Sequence, residues 1–108
     1  MAGTAVAGNT VGKYKLIDLG TTALGGCTAS GLNNVGKVVG YGLDATNQNK
    51  AWIFDVATGT RTDLPRPSDF RSSLVMDIND SGKMVGYGQK NVSGSYYNRG
   101  LYWSDMSV

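Results

Sequence analysis

The 108-residue chain contains no histidine and no glutamate, one cysteine, two prolines and no long apolar run. Without histidine, neither a Ser-His-Asp nor a Cys-His catalytic group can be assembled, and a histidine-ligated zinc site is excluded. Histidine is also the side chain most used for proton transfer near neutral pH. Asp, Lys, Tyr and Cys27 are left as the candidate acids, bases or nucleophiles, so the composition weighs against an enzyme. Cys27 alone cannot close a disulfide within the chain. No apolar stretch approaches the ~20 residues of a spanning helix, and Met1 to Gly12 lacks the basic start and sustained apolar core of a secretory leader. Neither a membrane anchor nor a signal peptide is expected, and the compartment stays open. A net charge of +2, a pI near 8.8 and the absence of any Lys or Arg run give little footprint for nucleic acid or an anionic membrane. No cofactor is expected.

What is present is glycine, 16 residues of it, spaced between short apolar runs that make up 41% of the chain. That is about twice the usual share of glycine and calls for many tight turns. The length suits one domain with one modest core. Within it a motif recurs. Gly31-Leu-Asn-Asn-Val-Gly-Lys-Val-Val-Gly-Tyr-Gly42 aligns without gaps on Asp77-Ile-Asn-Asp-Ser-Gly-Lys-Met-Val-Gly-Tyr-Gly88, with seven identities in twelve positions. Lys50-Ala-Trp-Ile-Phe-Asp55 likewise matches Arg99-Gly-Leu-Tyr-Trp-Ser104 in pattern, after three extra residues in the second copy. Ile17-Asp-Leu-Gly20 echoes Thr62-Asp-Leu-Pro65, so the termini cut the repeats out of phase.

Each unit reads as short strands. Asn33 to Gly36 and Asn79 to Gly82 are hairpin signals, because Asn, Asp and Gly tolerate the positive φ of tight turns. Val38 to Tyr41 and Met84 to Tyr87 follow as strands, where Gly40 and Gly86 indicate a bulge or a close backbone approach. Trp52-Ile-Phe54 and Leu101-Tyr-Trp103 are the heaviest apolar strands and are read as core. Thr60 to Leu64 alternates, which predicts one wet face. The second unit has no equivalent of that strand after Val108, and Tyr14 to Leu19 is the segment expected to fill the vacancy, in its own chain or in a neighbour. Pro65 and Pro67 mark the connection between units. No segment has a helical period.

On Ile17-Asp-Leu-Gly20, Leu32 to Tyr41, Lys50 to Gly59 and Ile78 to Tyr87, the chain resembles the bacterial extracellular repeat named for a His-Ala-Phe signature. The likeness spans about Tyr14 to Trp103, with Lys50 and Arg99 where that signature has His. The resemblance implies propeller-like blades and an extracellular setting, and it brings no catalytic residues. Two units cannot close a propeller, since such rings generally take four to eight blades. The expected architecture is therefore all-β: two blades of about four antiparallel strands, completed by oligomerisation into a six- or eight-bladed ring, with a small two-sheet sandwich as the alternative. Residues 1–13 are expected as an arm and 14–108 as one β domain, its units at about 20–65 and 66–108, the latter completed by 14–19.

Sites follow from what is not needed for packing. Asp77 to Gly82 resembles a calcium loop, but Gly88 stands where the acidic bidentate ligand belongs, and a hairpin turn is the better reading; no metal site is expected. Trp52, Tyr96, Tyr97, Tyr102 and Trp103, near Asn47, Gln48, Asn49, Asn91 and Asn98, are suited to stacking on and hydrogen-bonding a sugar. From these, Tyr96, Tyr97, Asn91, Asn98 and Trp52 are the candidate ligand residues, with Tyr96 and Tyr97 least committed to the core. Cys27, with no cation nearby in sequence, reads as an inert thiol. Asp18 and Asp63, each before Leu, read as repeated turn or backbone acceptors. The leading function is a noncatalytic repeat module for assembly and for binding carbohydrate or another polar ligand. The alternatives are an Asp-dependent hydrolase with its site between chains and a fragment of a larger propeller protein.

Overall fold

The computed structural model describes residues 6–11, as backbone, and residues 14–104. Among them are nine strands and no helix: β1 (Val6–Val11), β2 (Tyr14–Asp18), β3 (Thr28–Leu32), β4 (Lys37–Leu43), β5 (Asn49–Asp55), β6 (Thr60–Asp63), β7 (Phe70–Ile78), β8 (Met84–Val92) and β9 (Ser95–Trp103). They form a four-stranded sheet in the order β3-β4-β5-β6, a three-stranded sheet β7-β8-β9 and a hairpin β1-β2. All pairings are antiparallel, and neither larger sheet closes on itself.

The two twelve-residue segments occupy matching places. In the first sheet Val38 lies opposite Phe54 and Gly40 opposite Trp52; in the second Met84 lies opposite Trp103 and Gly86 opposite Leu101. Each first strand carries a bulge at the same point, between Ala29 and Gly31 and between Val75 and Asp77. The glycines explain themselves sterically. A Cβ on Gly40 would overlap the carbonyl oxygen of Thr28 and the Trp52 ring, and one on Gly86 would overlap the carbonyl oxygen of Leu74. Bulge and close approach, offered as alternatives by the sequence, occur together.

Strand alternation gives each sheet two faces. On the first sheet, Val38, Gly40, Trp52 and Phe54 form a front face, and Val39, Tyr41, Ala51 and Ile53 a back face. The matching front of the second sheet holds Met84, Gly86, Leu101 and Trp103. The core lies between this second front and the first back: Val39, Ala51 and Leu64 meet Val75, Ile78, Met84 and Trp103, with Ile53 and Leu101 packed alongside. Burial of each large apolar side chain contributes about 1.5–3 kcal/mol. Polar contacts fix the alignment. Ser30 Oγ donates to the Val75 carbonyl at 2.5 Å, the Ala51 N–H to Ser73 Oγ at 3.1 Å, and Trp103 Nε1 to the Pro65 carbonyl at 2.8 Å.

Two expectations become more specific. The segment 1–13 is not simply an arm, because Val6–Val11 is strand β1; residues 1–5, 12 and 13 lie outside the described residues. Tyr14 to Leu19 does not complete the second sheet within the chain, since β2 pairs with β1 instead. Only Gly12 and Lys13 separate the pair Val11–Tyr14, and so short a loop makes the local hairpin entropically cheap.

Candidate ligand-binding face

The hairpin β8-β9 is longer than its counterpart β4-β5 and projects polar residues beyond the core. Its turn is Ser93-Gly94, both at positive φ (53° and 87°), the two-residue geometry that matches strand twist. Asn91 Oδ1 accepts the Gly94 N–H at 2.9 Å, and the Asn91 N–H donates to the Asp69 carbonyl at 2.8 Å. Asn91 is thereby fixed, with its amide nitrogen as the group it can offer.

Register decides which side chains act together. Asn91 lies opposite Tyr96 and Gln89 opposite Asn98, so these four share the back face, while Tyr97 sits opposite Lys90 on the other side. Arg71 joins the first group. Its guanidinium carbon stands 3.8 Å from the centroid of the Tyr96 ring, and its Nε donates to Gln89 Oε1 at 2.7 Å. One side of the Tyr96 ring is thus occupied by a cation held in place, and the residue remains exposed. A shallow groove of about 300 Å³ continues from this cluster, with Gln48 and Asn49 on one side and Ser72, Tyr87, Gln89 and Asn98 on the other.

The structure therefore divides the sequence-predicted set. Tyr96, Asn91 and Asn98 are brought together. Tyr97 is exposed but faces away. Trp52 is not with them: it is fully buried on the front of the first sheet, with no ring face open to a ligand. Arg71 and Gln89 were missed, because neither belongs to the repeated motif and only strand register reveals their proximity.

A second concavity, about 480 Å³, lies at the end of the first sheet, lined by Thr21, Thr22, Asp44, Lys50, Arg61 and Asp63 among others. Lys50, Asp63 and Asp44 each have an ion-pair partner, whereas Arg61 bonds carbonyls instead. Lys50 Nζ is 3.8 Å from Asp63, and Arg66 is 3.4 Å from Asp44. Burial raises the Asp44 pKa, but hydrogen bonds from Thr46, Gln48 and Arg66 outweigh it and hold the carboxyl below its ordinary value. Asp18 accepts the Gly20 N–H at 2.9 Å as a turn acceptor, whereas Asp63 faces a lysine, so the matching residues play different parts.

Cys27 is half-buried and has a cation beside it that its sequence neighbours do not supply. An Arg61 nitrogen lies 3.5 Å from Sγ, having been carried there by β6. Arg61 donates as well to the carbonyls of Leu19 and Thr21 and lies over the Trp52 ring, covering the front of the first sheet. Burial nevertheless dominates and pushes the Cys27 thiol up, against the opposing pull of Arg61. Among the described residues no group of three or more Cys or Asp is placed to hold a metal ion.

Comparison with protein-family models, curated proteins and solved structures returns no match.

Proposed function

We propose that the chain is a noncatalytic β-repeat module that assembles with copies of itself and binds a polar, hydroxyl-rich ligand such as a glycan on the β8-β9 face. The observation that carries the binding reading is the Arg71–Tyr96–Gln89 cluster. It combines an exposed aromatic ring, a fixed guanidinium and the amides of Asn91 and Asn98 on one surface. Aromatic stacking with a few convergent polar groups suits sugar recognition, and little of the cluster is needed for the core. Three of the carboxyls are held in the ionised form and not poised as general acids. Asp44, Asp55 and Asp80 are all displaced downward, whereas a general acid near neutral pH needs an upward shift.

The assembly reading rests on the second sheet, which among the described residues has three strands where the first has four, and on the open back face described below. Together with the resemblance to propeller-like extracellular repeats, this favours units that stack in sequence around an axis. A glycan array probed with the 108-residue chain, in parallel with glycoside hydrolysis assays, tests the binding reading. Binding lost in Tyr96→Ala with the fold retained is the expected result. Turnover of a glycoside that an Asp→Asn change abolishes would replace this reading with the hydrolytic one.

A further inference from the structure

The second sheet is open in two ways, and the first sheet shows what each opening accepts. The Leu64 N–H donates to the Ala51 carbonyl at 2.9 Å, so residues 51, 53 and 55 of the β5 side direct their backbone groups toward β6, and residues 60, 62 and 64 direct theirs back. The matching residues on the β9 side are Gly100, Tyr102 and Ser104. β9 pairs with β8 through the turn-closing pair Val92–Ser95, which is hydrogen-bonded across a two-residue turn, so odd residues of β9 face β8 and even ones face outward. Gly100, Tyr102 and Ser104 therefore present unused backbone groups at an edge with no strand among the described residues.

The counterpart of Thr60, Thr62 and Leu64 in sequence is Lys15, Ile17 and Leu19. The parity of β2 fits. Its turn-closing pair is Val11–Tyr14, so Tyr14, Leu16 and Asp18 face β1, while Lys15, Ile17 and Leu19 face away from it. The strand that matches β6 thus has its free edge on the residues that the β9 edge requires. The Leu19 carbonyl accepts from Arg61 of β6, which anchors the root of β2 at the outer strand of the first sheet.

The second opening is the back face of the second sheet. Val39, on the first back face, is 0% exposed because the second sheet covers it; Val85, at the same place in the second unit, is 51% exposed, and Tyr102, the counterpart of Ile53, is 60% exposed. What covers Val39 is the front of the next sheet, in which Leu74 follows Leu64 by ten positions. The equivalent residues Leu19 and Thr28, between β2 and the first sheet, are nine positions apart. A second copy can therefore repeat the same step.

We infer that β2 of a second copy adds to the β9 edge in the register Lys15–Ser104, Ile17–Tyr102 and Leu19–Gly100, placing that copy's first sheet over Val85 and Tyr102. The contact is head-to-tail, so each chain donates one strand and accepts one, and repetition closes a ring or extends a filament. This inference rests on the assembly part of the proposed function.

The test mixes two separately purified chains, both carrying Cys27→Ser, one with Ile17→Cys and the other with Tyr102→Cys. Residues in a hydrogen-bonded pair lie about 5.5 Å apart at Cα, within disulfide reach. Mild oxidation is expected to give the heterodimer, with homodimers absent; replacing Ile17→Cys by Lys15→Cys, two residues out of register, abolishes it. Tyr102→Pro supplies a second reading, because its lost N–H faces away from β8: the sheet stays folded by circular dichroism while the assembly dissociates. An assembled particle that forms no Ile17–Tyr102 heterodimer, or that survives Tyr102→Pro, overturns the strand register and leaves the assembly reading standing. A particle with the mass of one chain overturns both.

Discussion

Asn34 and Asp80 stand at the same position of two segments 46 residues apart, and they bind each other. The Asn34 N–H donates to Asp80 Oδ1 at 2.8 Å, and the Asn34 side-chain amide to Oδ2 at 3.0 Å. Beside them, Asn33 Nδ2 donates to the Asn79 carbonyl at 3.0 Å. Each turn is built alike. Asn33 Oδ1 accepts from Val35 and Lys37, and Asn79 Oδ1 from Ser81 and Lys83. Equivalent turns are thus stacked by their own repeated residues, which is how a chain with few charges aligns two sheets.

The Asp80 contact has a pH signature. The Asn34 backbone N–H, followed by its side-chain amide, holds the Asp80 carboxyl below the usual carboxylate value. A depressed folded pKa contributes stability that is present above the unfolded value, ~3.9, and is lost as pH falls through the folded value. Asp80→Asn is expected to lower the melting temperature at neutral pH, with the gap to the unmodified chain narrowing as the solution is acidified below about pH 4. Thermal melts across pH measure this; a gap that does not change with pH would contradict it.

The repeated glycines are expected to differ sharply from the isolated one. Gly86→Ala forces a Cβ into the Leu74 carbonyl oxygen and costs about 1–3 kcal/mol as an overpacked site. Gly100→Ala meets nothing within 4 Å and stays within about 0.5 kcal/mol of the parent. Urea unfolding of the two variants side by side gives the comparison.

Ser73 takes the place in the second unit that Cys27 has in the first, and it is fully buried. Ser73→Ala leaves the Ala51 N–H without its acceptor at the junction of the sheets, at a cost of about 1–3 kcal/mol. Equilibrium unfolding checks the value, and hydrogen exchange at Ala51 is expected to speed up.

On the β8-β9 face, Tyr96→Ala and Arg71→Ala are each expected to weaken binding of a captured glycan about tenfold, which corresponds to about 1.4 kcal/mol. Tyr97→Ala, on the opposite side of the hairpin, is expected to leave affinity unchanged. Titration calorimetry with the same glycan separates the two sides. Equal losses at Tyr96 and Tyr97 would contradict the single-face arrangement.

Much of the fold was legible in local sequence. Asn-x-x-Gly turns, Val-Val-Gly-Tyr strands and the aromatic runs at 52–54 and 101–103 carry their periodicity and turn chemistry within a few residues, although Tyr102, read as core, is exposed. Relations set by register were not. Trp52 looked available as an aromatic near polar residues, and only its pairing opposite Gly40, which lacks a side chain, shows how the ring is buried there. Tyr96 and Tyr97 are neighbours in sequence, and strand alternation sends them to opposite faces. Arg71 reaches Tyr96, and Arg61 reaches Cys27, across strands that no local pattern connects.

The central claim is that the second sheet is an incomplete copy of the first, completed by another chain. The mass of the particle in solution, measured by light scattering over a concentration series, tests it most directly. The expected mass is that of two or more 11.4 kDa chains, reduced to a single chain by Tyr102→Pro. A mass of one chain at every concentration, with the fold intact, would contradict it.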